Sequence, residues 1–265
     1  MKVLILTKKR ILILLSCVLI AALAIGVASY SANKVVATMS ETREIPIYYV
    51  DTREKVCAIS FDAAWGNEQT AALLDTLDKY DVKTTFFLVK QWVDSYPDSV
   101  KEIAARGHDI GNHSATHPHM AQLDDKSQRE EITACNKAVE TLTGYSPTLF
   151  RAPYGEYDNK LVRNLRDLDM YCVQWNIDSL DWKDPSADEI VTRIREKLCP
   201  GSIILLHNGA KNTPEALPRL IEAIRAEGYR IVPISELIPA GEYTTDHEGK
   251  MILTNQKSTE KSSEP

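Results

Sequence analysis

From residue 55 to residue 238 the chain alternates short apolar runs with longer stretches whose apolar positions recur every three or four residues. Val56-Cys57-Ala58-Ile59-Ser60-Phe61 reads as a buried strand, and Thr84-Thr85-Phe86-Phe87-Leu88-Val89 as a second, rich in β-branched and aromatic residues. Further strands are predicted at residues 108–110, 148–150, 171–177, 202–206 and 229–232. Helices are predicted at 68–80, 97–106, 124–142, 159–168, 187–198 and 214–227. Pro97 suits a helix's first turn, and Gly107 and Gly144 suit helix ends. Strands this apolar are buried on both faces, which implies a parallel sheet covered by helices. Seven such units predict an α/β fold of the (β/α) barrel type, distorted rather than regular.

The flanks differ in kind. Residues 1–10 carry Lys8-Lys9-Arg10, and residues 11–30 are apolar or small without one charge. Twenty helical residues at ~1.5 Å each span the ~30 Å apolar core of a bilayer. The basic cluster before them predicts a cytoplasmic N-terminus and an extracytoplasmic domain at the cell membrane. The run exceeds the ~7–15 apolar residues of a cleaved signal, so an uncleaved single-pass anchor is favoured over a secreted form. Residues 31–54 form a juxtamembrane segment with a short strand near Ile45–Val50. The tail, 239–265, is rich in Ser, Thr, Lys and Glu and is expected to be disordered.

Charge narrows the partners. The first 32 residues hold four of the 31 basic residues and no acid, which leaves 27 against 37 acidic residues for the remainder. An acidic domain without a basic stripe is a poor nucleic-acid binder, so no nucleic-acid partner is expected. The cysteines (Cys17, Cys57, Cys135, Cys172, Cys199) include no Cys-x-x-Cys pair, which argues against redox chemistry or a thiolate metal site.

Ligands of parallel α/β folds bind at the carboxyl ends of the strands. Here five strand ends carry ionisable groups: Asp62 with Ala63, His113 and His117, Arg151, Asp178 with Asp181, and His207. Singly, each has a bland explanation. A His-x-x-x-His pair arises by chance, Asp62 could cap a helix, and His207 could be a buried, satisfied histidine. Pro118 disfavours a helix through His117, leaving the pair on a tight loop. Five together on one face are much harder to dismiss.

The blocks Ser60-Phe61-Asp62-Ala63, His113-Ser114-Ala115-Thr116-His117, Arg151-Ala152-Pro153-Tyr154, Asp178-Ser179-Leu180-Asp181-Trp182 and Leu205-Leu206-His207 resemble, in form and order, the motifs of the NodB-homology polysaccharide deacetylases, carbohydrate esterase family four. The resemblance covers residues 55–238. It implies metal-dependent N-deacetylation of a cell-wall polysaccharide, peptidoglycan foremost, with a divalent metal held by His113 and His117: zinc, or else cobalt or manganese. It further implies Asp62 as general base, His207 as general acid, Arg151 orienting Asp62, and Asp178 tuning His207. Leu205 and Trp182 would wall the pocket for the acetyl methyl, and the Tyr154 backbone N–H would stabilise the oxyanion.

One position departs from the pattern. The family's third metal ligand is replaced by Ala63, which has no donor atom, whereas catalytic zinc normally takes three protein ligands. The Phe-Asp-x-x-Trp-Gly form resembles the sporulation-associated branch, which also departs from the Asp-Asp pair. Two other readings stay open: a catalytically degenerate glycan-binding or scaffolding protein, and a metal-dependent amidohydrolase acting on a non-sugar amide.

Overall fold

The computed structural model describes residues 8–9, 18–27 and 42–254 and divides the chain into two units, Met1–Arg43 and Glu44–Pro265. In the first, residues 18–27 are helical, with Val18, Leu19, Ile20 and Leu23 exposed. The rest of the expected 11–30 anchor lies outside the described residues. Among the described residues no helix is long and apolar enough to cross a membrane.

The second unit opens on β1 (Tyr49–Val50). β2 (Val56–Ala63), β3 (Thr85–Leu88), β4 (Asp109–Asn112), β5 (Leu149–Phe150) and β6 (Tyr171–Cys172) follow as successive parallel neighbours. The chain then bends into β7 (Ile177–Asp178), which pairs with β8 (Ser202–His207), and β8 pairs with β2. The predicted 171–177 strand is therefore two strands, because this segment leaves β5 to reach β8. Asn176 marks the bend: its side-chain oxygen accepts from Ile203 N at 2.9 Å, and its amide donates to Ser202 Oγ at 3.2 Å. β9 (Arg230–Ile231) pairs with the start of β2. The result is an α/β half-barrel, a coarser match to the distorted (β/α) barrel expected.

The helices are α1 (Thr70–Lys79), α2 (Lys90–Ser95), α3 (Pro97–Ala105), α4 (Asp125–Thr143), α5 (Asn159–Asp167), α6 (Ala187–Arg195), α7 (Thr213–Ala226) and α8 (Ile234–Leu237). Several begin on a side chain that accepts an otherwise unpaired backbone N–H. Asp124 accepts from Ser127, Asp158 from Leu161, and Ser186 forms a capping box with Glu189. Gly144 ends α4 in the left-handed conformation, as its position predicted. All eight residues of β2 are buried, as a strand covered on both faces must be. Cys57, Ile59 and Phe61 pack under the helices, while Ala58 joins Phe87, Val173 and Ile203 in a separate cluster.

The tail corrects the sequence reading. Residues 239–254 are not disordered: β10 (Tyr243–Thr245) and β11 (Lys250–Leu253) form a hairpin, and β11 runs parallel to β1. Asp246 turns the hairpin by accepting from Glu248 N and Lys250 N, both at 2.9 Å. Met251, only 1% exposed, is the anchoring side chain. A polar composition concealed this because one apolar face of a short strand suffices when its partner lies 200 residues away. Residues 255–265 lie outside the described residues.

Candidate active site

β4 ends on Asn112, whose side chain shapes the loop that follows. Its amide donates to Ile132 O and Asn136 Oδ1, both at 2.7 Å, and its oxygen accepts from Ser114 N at 2.7 Å. Glu131 of α4 accepts from Ala115 N and Thr116 N at 2.8 Å each, and Ser114 Oγ accepts from His117 N at 3.0 Å. The segment therefore wraps onto α4 rather than becoming a helix, with Ser114 and His117 at positive φ (72° and 59°). His113 and His117 consequently meet edge to face, 4.9 Å between ring centroids.

Asp62 and His207 are register partners on the adjacent strands β2 and β8. Arg151, fully buried after β5, donates to Asp62 Oδ1 at 2.7 Å and to Gln174 O at 3.1 Å. Its guanidinium lies 4.0 Å above the centre of the Phe87 ring. Gly111 makes room for that ring, since a Cβ there would fall 2.4 Å from Phe87 Cδ1. Burial alone would raise the Asp62 carboxyl, but the Arg151 guanidinium, helped by His113 and His207, holds it below the usual carboxylate range.

On the other side, His207 Nδ1 lies 2.7 Å from Asp181 Oδ1, and Asp181 Oδ2 accepts from His207 N at 2.8 Å and from Thr213 Oγ1 at 2.7 Å. Burial disfavours the His207 imidazolium, yet the bond to Asp181 more than offsets it and raises His207 above the ordinary imidazole range. The residue tied to His207 is thus Asp181, not the Asp178 expected. Asp178 Oδ1 instead accepts from Leu180 N at 2.8 Å and shapes the turn, reaching His207 only through its charge. Pushing base and acid apart in this way suits them to opposite proton-transfer roles.

Burial keeps His113 and His117 neutral, the latter lowered to about 4. His113 Nδ1 is 2.8 Å from Arg151 O, which can only accept, so Nδ1 carries the hydrogen and Nε2 the lone pair. That lone pair faces Asp62 Oδ2 at 3.5 Å. Two acceptors so disposed suit a shared cation, and the carbonyl behind His113 is the usual support of a metal-binding imidazole. His113 with Asp62, and His117 edge to face beside His113, supply donors of the kind a divalent metal takes, but the set is short: Ala63 is fully buried among core apolar residues. Among the described residues no three His, Cys, Asp or Glu side chains form a complete metal site.

The other expected residues follow the same strands. Leu205 is buried in β8. Tyr154, at φ 59°, is exposed and sits between His117, edge-on at 4.6 Å, and His119, stacked at 4.5 Å. Trp182 is exposed beneath the Lys183 ammonium, which lies 4.8 Å from its ring centre. Sequence reasoning assigned nothing to His119, Thr213 or Trp65. Only Trp65, beside Asp62 on the same strand end, offered a signal.

The model of the polysaccharide deacetylase family matches residues 49–173. A peptidoglycan-N-acetylglucosamine deacetylase of Bacillus cereus is 34% identical over 184 residues, covering 68% of this chain and 67% of that protein. The uncharacterized protein YlxY of Bacillus subtilis is 33% identical over 209 residues, 79% of this chain, and this chain spans 65% of its length. Among solved structures, BA3943 of Bacillus anthracis, a CE4-family pseudoenzyme, is 34% identical with a TM-score of 0.71, over 72% of this chain and 68% of that one. A mutant of BA3943 is described as having restored enzymatic activity. The chain belongs to the polysaccharide deacetylase family, which includes peptidoglycan deacetylases and catalytically inactive pseudoenzymes.

Proposed function

We propose that this protein removes acetyl groups from an N-acetylated cell-wall glycan, peptidoglycan foremost, with help from a divalent metal. The observation that carries the reading is the pairing, across β2 and β8, of an Arg151-held carboxylate with an Asp181-held imidazole, beside two neutral histidines. Asp62 takes the proton of the water that attacks the acetyl carbon. His207 delivers a proton through Nε2 to the amide nitrogen as the C–N bond breaks, releasing acetate and a free amino sugar. Arg151 fixes Asp62, and Asp181 fixes the His207 tautomer. His113 and His117 would hold the metal, zinc by preference and cobalt or manganese as substitutes. The chemistry it would supply there is Lewis-acid catalysis, with bound water made far more acidic than bulk water. Tyr154, Trp182 and Leu205 border the acetyl-binding side. Residues 11–30 would hold the domain on the outer face of the cell membrane, and the Phe61-Asp62-x-x-Trp65-Gly66 form supports a setting in sporulation.

Ala63 favours a second reading, a glycan-binding protein without turnover, and the likeness to a pseudoenzyme points the same way. Measuring zinc affinity and acetate release from N-acetylglucosamine oligomers, in wild type and Ala63→Asp, separates the two. Restoring the carboxylate is expected to tighten zinc binding at least about tenfold and to raise acetate release in parallel. Glycan binding with no acetate from either protein, whichever of the three metals is supplied, would establish the non-catalytic reading instead.

A further inference from the structure

We propose that Trp65 is a sugar-stacking residue, the platform for the pyranose ring that carries the scissile acetamide. Its ring lies against His207, 5.1 Å between centroids and tilted by 32°, and the residue remains 46% exposed. An indole left this open beside a polar site marks a binding surface more often than an accident of packing.

The loop that carries it is held firmly. Gly66 O accepts from Trp92 Nε1 at 2.6 Å and from Asn208 Nδ2 at 3.2 Å, so α2 and the turn directly after β8 both fasten the residue after Trp65. Asn208 N in turn donates to Asp62 O at 3.2 Å. Gly209 leaves no space between the loops: a Cβ there would lie 2.5 Å from Trp65 O and 2.9 Å from its Nε1. A platform already ordered loses little entropy when a ligand lands on it.

The chemistry decides which part of the substrate lands there. His207 is the group that protonates the leaving nitrogen, and that nitrogen is bonded to the sugar ring. The ring must therefore lie on the His207 side of the acetamide, which is Trp65's side. A β-linked pyranose presents axial C–H groups on its faces, and these match the negative face of an indole. Trp182 is less free for this role, because the Lys183 ammonium already lies over it.

The inference rests on the reading that the chain takes an N-acetylated glycan, but it requires binding alone and not turnover. The test is calorimetric titration of the full chain in detergent with an N-acetylglucosamine tetramer. It compares wild type, Trp65→Ala and Trp65→Tyr, with chelator present to suppress hydrolysis. Trp65→Ala should weaken binding about tenfold, and Trp65→Tyr, which keeps an aromatic face, by no more than about threefold. Circular dichroism melts should be unchanged for both. If wild type binds and Trp65→Ala binds as tightly, the Trp65 assignment is wrong while the glycan reading stands. If wild type itself does not bind the tetramer, both fall together.

Discussion

Asp181 and Asp178 are three residues apart in one loop, yet only Asp181 touches His207. Removing its charge should therefore lower the His207 pKa clearly. NMR titration of the His207 imidazole should report a large downward shift for Asp181→Asn and a much smaller one for Asp178→Asn; equal shifts would refute the assignment. A second titratable residue lies outside the site. His108 is buried, its Nδ1 accepts from Thr84 N at 3.2 Å, and its Nε2 has no hydrogen-bond partner among the described residues. Burial lowers its pKa from 6.5 to about 4. The folded protein thus binds fewer protons than the unfolded chain between these values, so stability rises with pH across that window. The cost of charging the buried imidazole is absent above about pH 6.5 and grows as the pH falls toward 4. Denaturant unfolding at stepped pH should show a shallower acid loss in His108→Leu than in wild type.

At the scale of elements, the site depends on where strands end and on how closely β1 approaches β8. Gly201 has φ +79° and would place a Cβ 1.8 Å from Val50 O, at the junction where Val50 N donates to Gly201 O at 3.0 Å. Gly201→Ala forces the two strands apart and adds left-handed strain. It should cost about 3 kcal/mol or more and lower Tm by about 10 °C in a domain of this size. A thermal scan within a degree or two of wild type would contradict that. The predicted helix positions agree with the observed ones because their periodicity and caps are local. Two short helices, α2 and α8, went unpredicted, since six and four residues are too few to show a helical period.

For the whole molecule, the N-terminal segment and the barrel are separate units, and only the barrel carries the site. An anchor in residues 11–30 predicts that the full chain sediments with membranes after carbonate washing, whereas a chain lacking residues 1–30 stays in the supernatant. Sedimentation of both would move the membrane contact elsewhere.

The sequence by itself determined the α/β class, the strands that open onto the site, and five clusters of ionisable residues at their ends. It could do so because each strand and its terminal polar residues are contiguous. The loss of a donor at Ala63 was equally legible, since an absent side chain needs no structure to be noticed. Tertiary structure decided the pairings. Asp181 rather than Asp178 holds His207 because α7 brings Thr213 to the same carboxylate from 32 residues away. The tail folds because Met251 finds β1, and the 171–177 run breaks because β8 pairs with its second half. Trp65 gained a role only when β8 carried His207 beneath it. These are contacts between distant segments, and their free energy appears only once the barrel has brought the segments together.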